Sequence, residues 1–443
     1  MRLPTARQQR NFIWAVTLHF DGKGVEQLKI VVAGAGAAGL MAAIRAAEGG
    51  AQVVLLEKMS RVGKKLSITG KGRCNLTNIV DVPELIANIP GNGKFLNSVL
   101  NSFTSIDTIN FFESLGVTTK LERGGRVFPM SDDASEVVDA LLNRMKELGV
   151  ELRTNTRVTD VLINNKCVMG VESNGHFEKC DAVILAMGGA SYPATGSTGD
   201  GFAIAKRLGH TIVKLLPSLV PLETEEDFVQ ELQGLSLKNV RVELIIDGSK
   251  IAEEFGEMLF THFGVSGPII LTLSRRAAFA LEDGKFVELS INLKPALTPE
   301  QLDARVLRDF EKYLNKASKN AMNDLLPSKL IPIILDLAFI DEDKRINAVT
   351  AGERRRLVET LQDLRLTISK TRPISEAIVT AGGVSTKEIN PTTMQSKLID
   401  GLYFAGEVVD VDGFTGGYNL QAAFAMAVAA ADHASQRKGS FHA

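Results

Sequence analysis

The fold is decided by the stretch from Leu28 to Lys58, LKIVVAGAGAAGLMAAIRAAEGGAQVVLLEK. A short apolar run (Ile30 to Ala33) meets Gly34-x-Gly36-x-x-Gly39, and an alanine-rich segment with helical spacing follows. Gly49-Gly50 then leads into a second apolar run, Val53 to Leu56, which ends at an acid, Glu57. The order is strand, tight turn, helix, second strand: the βαβ unit that binds dinucleotides. Gly34 permits the turn, Gly36 lets backbone approach a pyrophosphate, and Gly39 lets the helix lie close on the strand. The first-turn N–H groups of such a helix lack partners within it and sit at the positive end of its dipole, so they favour a diphosphate. Glu57 is placed to accept hydrogen bonds from ribose hydroxyls. GxGxxG alone is a weak signal; both flanking strands and the terminal acid make it a strong one.

Composition bounds the rest. A chain of 443 residues suggests about two or three domains. Apolar content of 45% and charged content of 23% are ordinary for a globular protein. With a formal charge of −2, a single Trp and no basic stripe interleaved with aromatics, no nucleic-acid or membrane partner is expected, and a small-molecule substrate is. The three cysteines, Cys74, Cys167 and Cys180, form no CxxC, which argues against zinc, iron–sulfur and disulfide-relay chemistry, so no metal site is expected. Sparse cysteine fits a reducing cytoplasm. Residues 1–27 carry Arg2, Arg7 and Arg10 before Asn11 to Val16, loosely like a signal peptide. The apolar core is short and no small-x-small site precedes Asp21, so we read an N-terminal extension and a cytoplasmic protein.

Beyond Glu57 comes a basic, glycine-rich loop, Arg61 to Asn78, then helical patterns near 94–115 and 133–148, the latter with Ser131 as a candidate N-cap. Gly124 to Pro129 reads as a loop or short strand. Residues 150–187 switch to strand periodicity, with Asn164-Asn165 and Asn174-Gly175 as turns. Strand-like runs recur at 211–216, 239–247, 286–293 and 364–370, while 299–360 is helical and charged. At the end, Gly401 to Glu407 reads as a buried strand, and Gly413-Phe-Thr-Gly416-Gly417-Tyr418-Asn419 opens an apolar helix, Leu420 to Ala434. The reading is an α/β protein: a discontinuous Rossmann domain (28–204 and 373–443), an inserted β-rich substrate-side domain (205–298 and 361–372) and a helical insertion (299–360).

The C-terminal glycine turn is the second strong signal. A helix start with free N–H groups carries roughly half a positive charge. Aimed at the pyrimidine edge of an isoalloxazine, it would stabilise the negative charge gathered there on reduction. Paired with the upstream dinucleotide unit, this favours a flavin.

Four segments carry a family resemblance: GKKLSITGKGRCNLTN (63–78), AMGGASYPATGSTGDG (186–201), FTHFGVSGP (260–268) and LYFAGEVVDVDGFTGGYNLQAA (402–423). They resemble the bacterial NAD(P)/FAD-dependent oxidoreductases, a family that includes aminoacetone oxidases and a flavoprotein reductase of bile-acid dehydroxylation. The resemblance runs from about Leu28 to Ala434. It implies a glutathione-reductase-like FAD domain, a β-barrel-like second domain and a small helical third. It also implies FAD contacts at Gly34, Gly36, Ala38, Gly39, Glu57, Lys58, Lys65, Arg73, Cys74, Asn75, Gly406, Glu407 and the turn Gly416, Gly417, Tyr418 and Asn419. To these we add Ala37, Lys64, Gly72 and Gly188 from the same loops. This chain has Gly70-Lys71-Gly72 where relatives often have three glycines, which adds a charge to the cofactor loop.

The loop's own chemistry agrees, since Lys64, Lys65 and Arg73 place positive charge where it can neutralise a diphosphate, Arg73 by a bidentate fork. Cys74 invites a thiolate role, but with no resolving cysteine nearby packing or flavin contact is the stronger reading. His262 is the best candidate acid/base. Tyr192 and Tyr418 are candidates to line the flavin. The function expected is hydride transfer between a small molecule and flavin N5, the flavin being reset by O₂ or by NAD(P)H binding transiently. The alternative is a non-catalytic FAD-binding or redox-sensing module.

Overall fold

The structure, a computed structural model, describes residues 27–437. The extension expected at 1–27 lies outside the described residues, Gln27 aside. The opening segment folds as read, strand Lys29–Ala33, helix Ala37–Glu48 and strand Gln52–Leu56, and its two strands pair in parallel. They sit inside a five-stranded parallel sheet in the order Leu402–Phe404, Ala182–Leu185, Lys29–Ala33, Gln52–Leu56, Glu151–Arg153. The central strands are unbroken apolar runs because both faces are covered, one by helices and the other by a meander of strands. The two ends of the chain thus build one sheet.

The helix Ala37–Glu48 (the opening helix) lies alongside Tyr418–Ser435 (the closing helix). Alanines allow the close approach: Ala42, Ala43 and Ala46 on one, and Ala427, Ala430 and Ala431 on the other, are fully buried. The helices run in the same direction, since Arg45 pairs with Asp432 at 3.1 Å and Gly49 abuts Ser435 near their C-terminal ends.

A meander of strands Val158–Asn164, Cys167–Ser173 and His176–Lys179 covers one side. Its turns place Asn165, Lys166, Asn174 and Gly175 at positive φ, as two-residue hairpins require. The helix expected over 94–115 is divided into Gly93–Leu96, Asn97–Ser102 and Ser105–Ser114. The break is a capping box, in which the Thr104 hydroxyl accepts from the N–H of Asp107 and the Asp107 carboxylate accepts from the N–H of Thr104. At 134–147 the cap is Asp133, whose carboxylate accepts from the N–H of Ser135 at 2.8 Å, and not Ser131.

Six strands close a barrel: Leu222–Thr224, Gly264–Ser266, Ser249–Phe260, Ser236–Ile246, Val287–Asn292 and Leu364–Thr371. A helix the sequence reading did not contain, Pro268–Glu282 (the barrel helix), buries Ile269, Ile270, Leu273 and Ala277 in the barrel's core. The helices between the last two barrel strands, including Pro299–Lys312 and Ala351–Gln362, share that core through Leu302, Val306, Phe310 and Leu357. The chain enters and leaves the barrel along an antiparallel ribbon, Ile212–Ser218 on Val379–Val384. The strand expected at 211–216 therefore belongs to the ribbon and not to the barrel.

Candidate functional site

At the start of the opening helix the three glycines meet different surroundings. A Cβ on Gly39 would collide with the carbonyl oxygen of Gly34, so this glycine is where helix and turn touch. A Cβ on Gly36 would meet nothing within 4 Å, so the space beside this glycine is open. No side chain caps this helix. Glu57, largely buried, lies beside the turn, its Oε2 accepting from the N–H of Ala35 and its Oε1 from that of Met59, each at 2.8 Å. A small pocket opens here, lined by Gly34, Glu57, Lys58, Thr156, Met187 and Gly196. Lys58 points across it to Thr198 and to Asp200, 2.9 Å away. Gly188, at φ 71°, forms the neighbouring turn.

The closing helix begins just as barely, behind Gly417 at φ 99°, with no side-chain cap. A Cβ on Gly417 would strike the backbone of Thr77, and one on Gly406 would lie 2.9 Å from Cβ of Ala38 and 3.9 Å from that of Ala423. Ala38 and Ala423 are therefore level. Counting back to the two starts, the closing helix projects four residues further, roughly 6 Å at the α-helical rise. Two uncapped helix starts thus face the same way with a step between them, suited to a cofactor whose diphosphate and ring system lie apart. Asn419 clasps the turn, accepting from the N–H of Gly413 and donating to its carbonyl, both at 2.8 Å. Tyr418 is 8% exposed, and burial raises its phenol, which keeps it neutral.

Between these starts a polar knot forms around Glu407. Its carboxylate accepts from Lys65 Nζ at 2.6 Å, Ser191 Oγ at 2.9 Å and the N–H of Thr380 at 2.8 Å. Burial by itself would raise Glu407, but the Lys65 ammonium with these hydrogen bonds holds it below the usual carboxylate range. Thr380 Oγ1 accepts in turn from the N–H groups of Ala190 and Ser191. Ser191 and Thr380 escaped the sequence reading, although the buried glycine-bearing strand VTAGGV (379–384) offered a signal.

The basic loop divides. Gly63 donates its N–H to the carbonyl of Ala35, which brings Lys64 and Lys65 to the opening helix start. The Arg73 guanidinium bonds Glu122 at 2.8 Å and Asp132 at 3.2 Å and lies 4.1 Å from the Phe128 ring centroid. Like Lys58 and Lys65, it is thus paired with carboxylates of its own chain. Gly70, Lys71 and Gly72 all have positive φ, so Lys71 sits where glycine is favoured. Cys74 is wholly buried, and burial pushes its thiol up to about 12, which removes the thiolate. The adjacent Asn75 leaves Oδ1 buried without a partner, as does Asn78, whose amide nitrogen bridges the carbonyls of Gly124 and Gly416.

His262 stands exposed on the turn between barrel strands Ser249–Phe260 and Gly264–Ser266, its ring edge-on to Phe263. Phe263 lies under Arg372, which pairs with Glu223 and Glu376. The linker beyond Arg372 touches the sheet-side loop, where the N–H of Tyr192 reaches the carbonyl of Ser375. His262 is thus on the barrel wall that leads towards Ser191 and Glu407. Among the described residues no group of His, Cys, Asp or Glu is disposed to hold a metal ion, and no helix is long and apolar enough to cross a membrane.

An open Gly36 cradle, a second bare helix start one step beyond it, and orphaned amide oxygens at Asn75 and Asn78 fit FAD, and with the inserted barrel they define a flavin-type Rossmann oxidoreductase. Residues 28–433 match the family model described as the HI0933-like protein Rossmann domain. The chain is 34% identical over 92% of its length, and 99% of the relative's, to the 3-dehydro-bile acid delta(4,6)-reductase of Clostridium scindens. It is 31% identical over 94% of its length, and 100% of the relative's, to the ribosomal RNA dihydrouridine synthase of Escherichia coli. In fold it is similar to the 3-ketosteroid-delta4-(5alpha)-dehydrogenase of Rhodococcus jostii RHA1, with TM-score 0.51, 15% identity and coverage of 96% and 99% of the two chains. The chain belongs to the HI0933-like family of FAD-binding Rossmann oxidoreductases.

Proposed function

We propose that this protein is an FAD-dependent reductase of carbon–carbon double bonds conjugated to a carbonyl in a small-molecule substrate. The observation that carries the reading is the pair of uncapped, same-facing helix starts at Gly36 and Gly417. The relatives support the reaction type, because the delta(4,6) bonds of a 3-dehydro bile acid and the 5,6 bond of uridine are both activated by a carbonyl. FAD, when bound, supplies hydride exchange at N5. The chain would hold it through Gly34, Gly36, Ala37, Ala38 and Gly39 at the diphosphate, and through Glu57 and Lys58 at the ribose and adenine side. Gly188, Gly406, Lys64, Lys65, Gly72, Cys74 and Asn75 would wall the middle. Gly416, Gly417, Tyr418 and Asn419 would face the ring's pyrimidine edge, where the helix dipole favours negative charge. The inserted barrel would wall the substrate side, and His262 is the proton donor we assign to the substrate carbon that does not receive hydride. The domain division read from the sequence, with the barrel as substrate side, is part of the same proposal.

One observation favours a second substrate class. The tip of the hairpin Thr119–Glu122/Arg126–Pro129 is tied through Asn78 to Gly416, and Arg123 at that tip, with Lys71 and Arg61, is exposed and makes no ion pair among the described residues. A polyanion would meet positive charge there. Stopped-flow flavin absorbance separates these readings. Under nitrogen the oxidised enzyme is mixed with NADH, NADPH or an amine, and the reduced form with a steroidal enone, a uridine-containing RNA fragment or air. Reoxidation by the enone faster than by air is expected. Reoxidation by air alone overturns the reductase reading, by RNA alone replaces the substrate class, and bleaching by an amine substitutes an oxidase.

A further inference from the structure

The barrel and the closing helix are joined by one buried carboxylate. Asp412, with no exposed surface, receives Arg275 of the barrel helix in a two-pronged contact, Nε to Oδ2 at 2.6 Å and Nη2 to Oδ1 at 3.1 Å. Ser218 at the ribbon's end donates to Oδ2 at 2.9 Å. The N–H of Gly91 reaches the Asp412 carbonyl at 3.0 Å, and a Cβ on Gly91 would collide with the carboxylate, so this side is closed. The next residue, Gly413, is held at both its N–H and its carbonyl by Asn419, the second residue of the closing helix. Three rigid links therefore run from the barrel helix to the glycine turn: Arg275 to Asp412, Asp412 to Gly413, Gly413 to Asn419. The barrel helix follows directly from the strand after His262, and Val220 of the crossing segment donates its N–H to Ser274, beside Arg275.

We propose that Arg275 and Asp412 are positioning residues that fix the spacing between the barrel wall carrying His262 and the helix start at Gly417. The proposal rests on the reading of the cleft between them as the site of hydride exchange. A buried ion pair adds little net stability over apolar groups of the same shape. What a forked pair on a fully buried carboxylate adds is orientation, and hydride transfer is sensitive to it, since a displacement of about 1 Å can cost on the order of a hundredfold.

The test compares R275M, which strands a buried carboxylate, with R275M/D412N, which removes both charges and keeps the hydrogen bond from Ser218. The double variant is expected to regain the thermal stability lost by the single one and to keep its flavin. Its single-turnover hydride transfer to substrate should remain about 10- to 100-fold slower than the parent's, with substrate affinity within about twofold. Spin labels at I106C and I251C, on exposed positions of the two bodies in a C167S background, give a second readout independent of turnover. A single narrow distance in the parent and a broadened one in R275M/D412N support the strut. A distribution that stays narrow in the double variant overturns it, as does a broadened one with an undiminished hydride rate. A parent that transfers no hydride to any substrate refutes the reductase reading instead, and the distance measurement still decides the strut.

Discussion

Two kinds of helix start coexist in this molecule. The helices at Ser105–Ser114, Pro299–Lys312 and Ala351–Gln362 each begin with a capping box, Thr104 with Asp107, Thr298 with Gln301 and Thr350 with Glu353. The opening and closing helices begin with Gly36 and Gly417 and have no side chain over their free N–H groups. A box satisfies the orphan donors locally and is worth about 1 kcal/mol. A bare start forgoes that stability and leaves its donors and dipole facing outward. The barrel helix also starts uncapped, behind Gly267, so it is the shared direction of the opening and closing starts, and not bareness alone, that marks a place for a ligand.

The largest effect should come from filling the closing start. Gly417→Val forces a β-branched residue into a left-handed turn and against the Thr77 backbone. We expect little soluble protein, or a Tm lower by about 10 °C or more; a stable yellow variant would break the comparison. Gly36→Val sharpens it, because the added side chain starts in open space at φ −86°. Folding should survive, with apoprotein Tm within a few degrees of the parent's, while the purified protein is colourless. Normal flavin content would show that this start does not face the diphosphate.

A middle-sized effect is expected at Lys65→Met, which leaves Glu407 buried without its cation. In the parent, Glu407 is held below its ordinary range, so its contribution is present above that range and lost only as pH falls through the lowered value. In the variant burial prevails and the sign reverses: Tm should rise between pH 7 and pH 5, from a stability at pH 7 lower by about 2 kcal/mol. A Tm that still falls on acidification would show that Ser191 and Thr380 suffice to hold the charge. Smallest of all, Thr298→Ala or Thr350→Ala should each cost about 1 kcal/mol in urea unfolding and leave the flavin spectrum and turnover untouched. A changed spectrum would erase the distinction between the two kinds of start.

The Rossmann unit was legible because its signals are local. Gly34 to Gly39, the apolar strands and Glu57 follow one another in the chain, and buried parallel strands need only an uninterrupted run such as Val53 to Leu56. The barrel was legible only in outline. Its strand Ser249–Phe260 keeps Lys250, Glu253, Phe255 and Glu257 on the exposed side, so no clean apolar run marks it. The helix Pro268–Glu282 hides behind a glycine loop. Lys65 and Glu407 each stood out, but their pairing depends on the return of the chain after the barrel. The partners of Arg73 were likewise illegible: Glu122 and Asp132 lie 49 and 59 residues on and reach it only through the fold. Asp412 had no signal, since its partner lies on a helix that sequence reasoning did not see.

The ribbon between the two bodies bears on how the protein is made. Ser218 and Val379 are cross-strand partners, so the chain departs and comes back at almost one point. During synthesis from the N-terminus, the barrel is complete before the last sheet strand, Leu402–Phe404, and the helix from Tyr418 leave the ribosome. The nucleotide half therefore stays an open sheet while the barrel is being made, and the second of its two glycine cradles exists only once the chain has been polymerised past Tyr418.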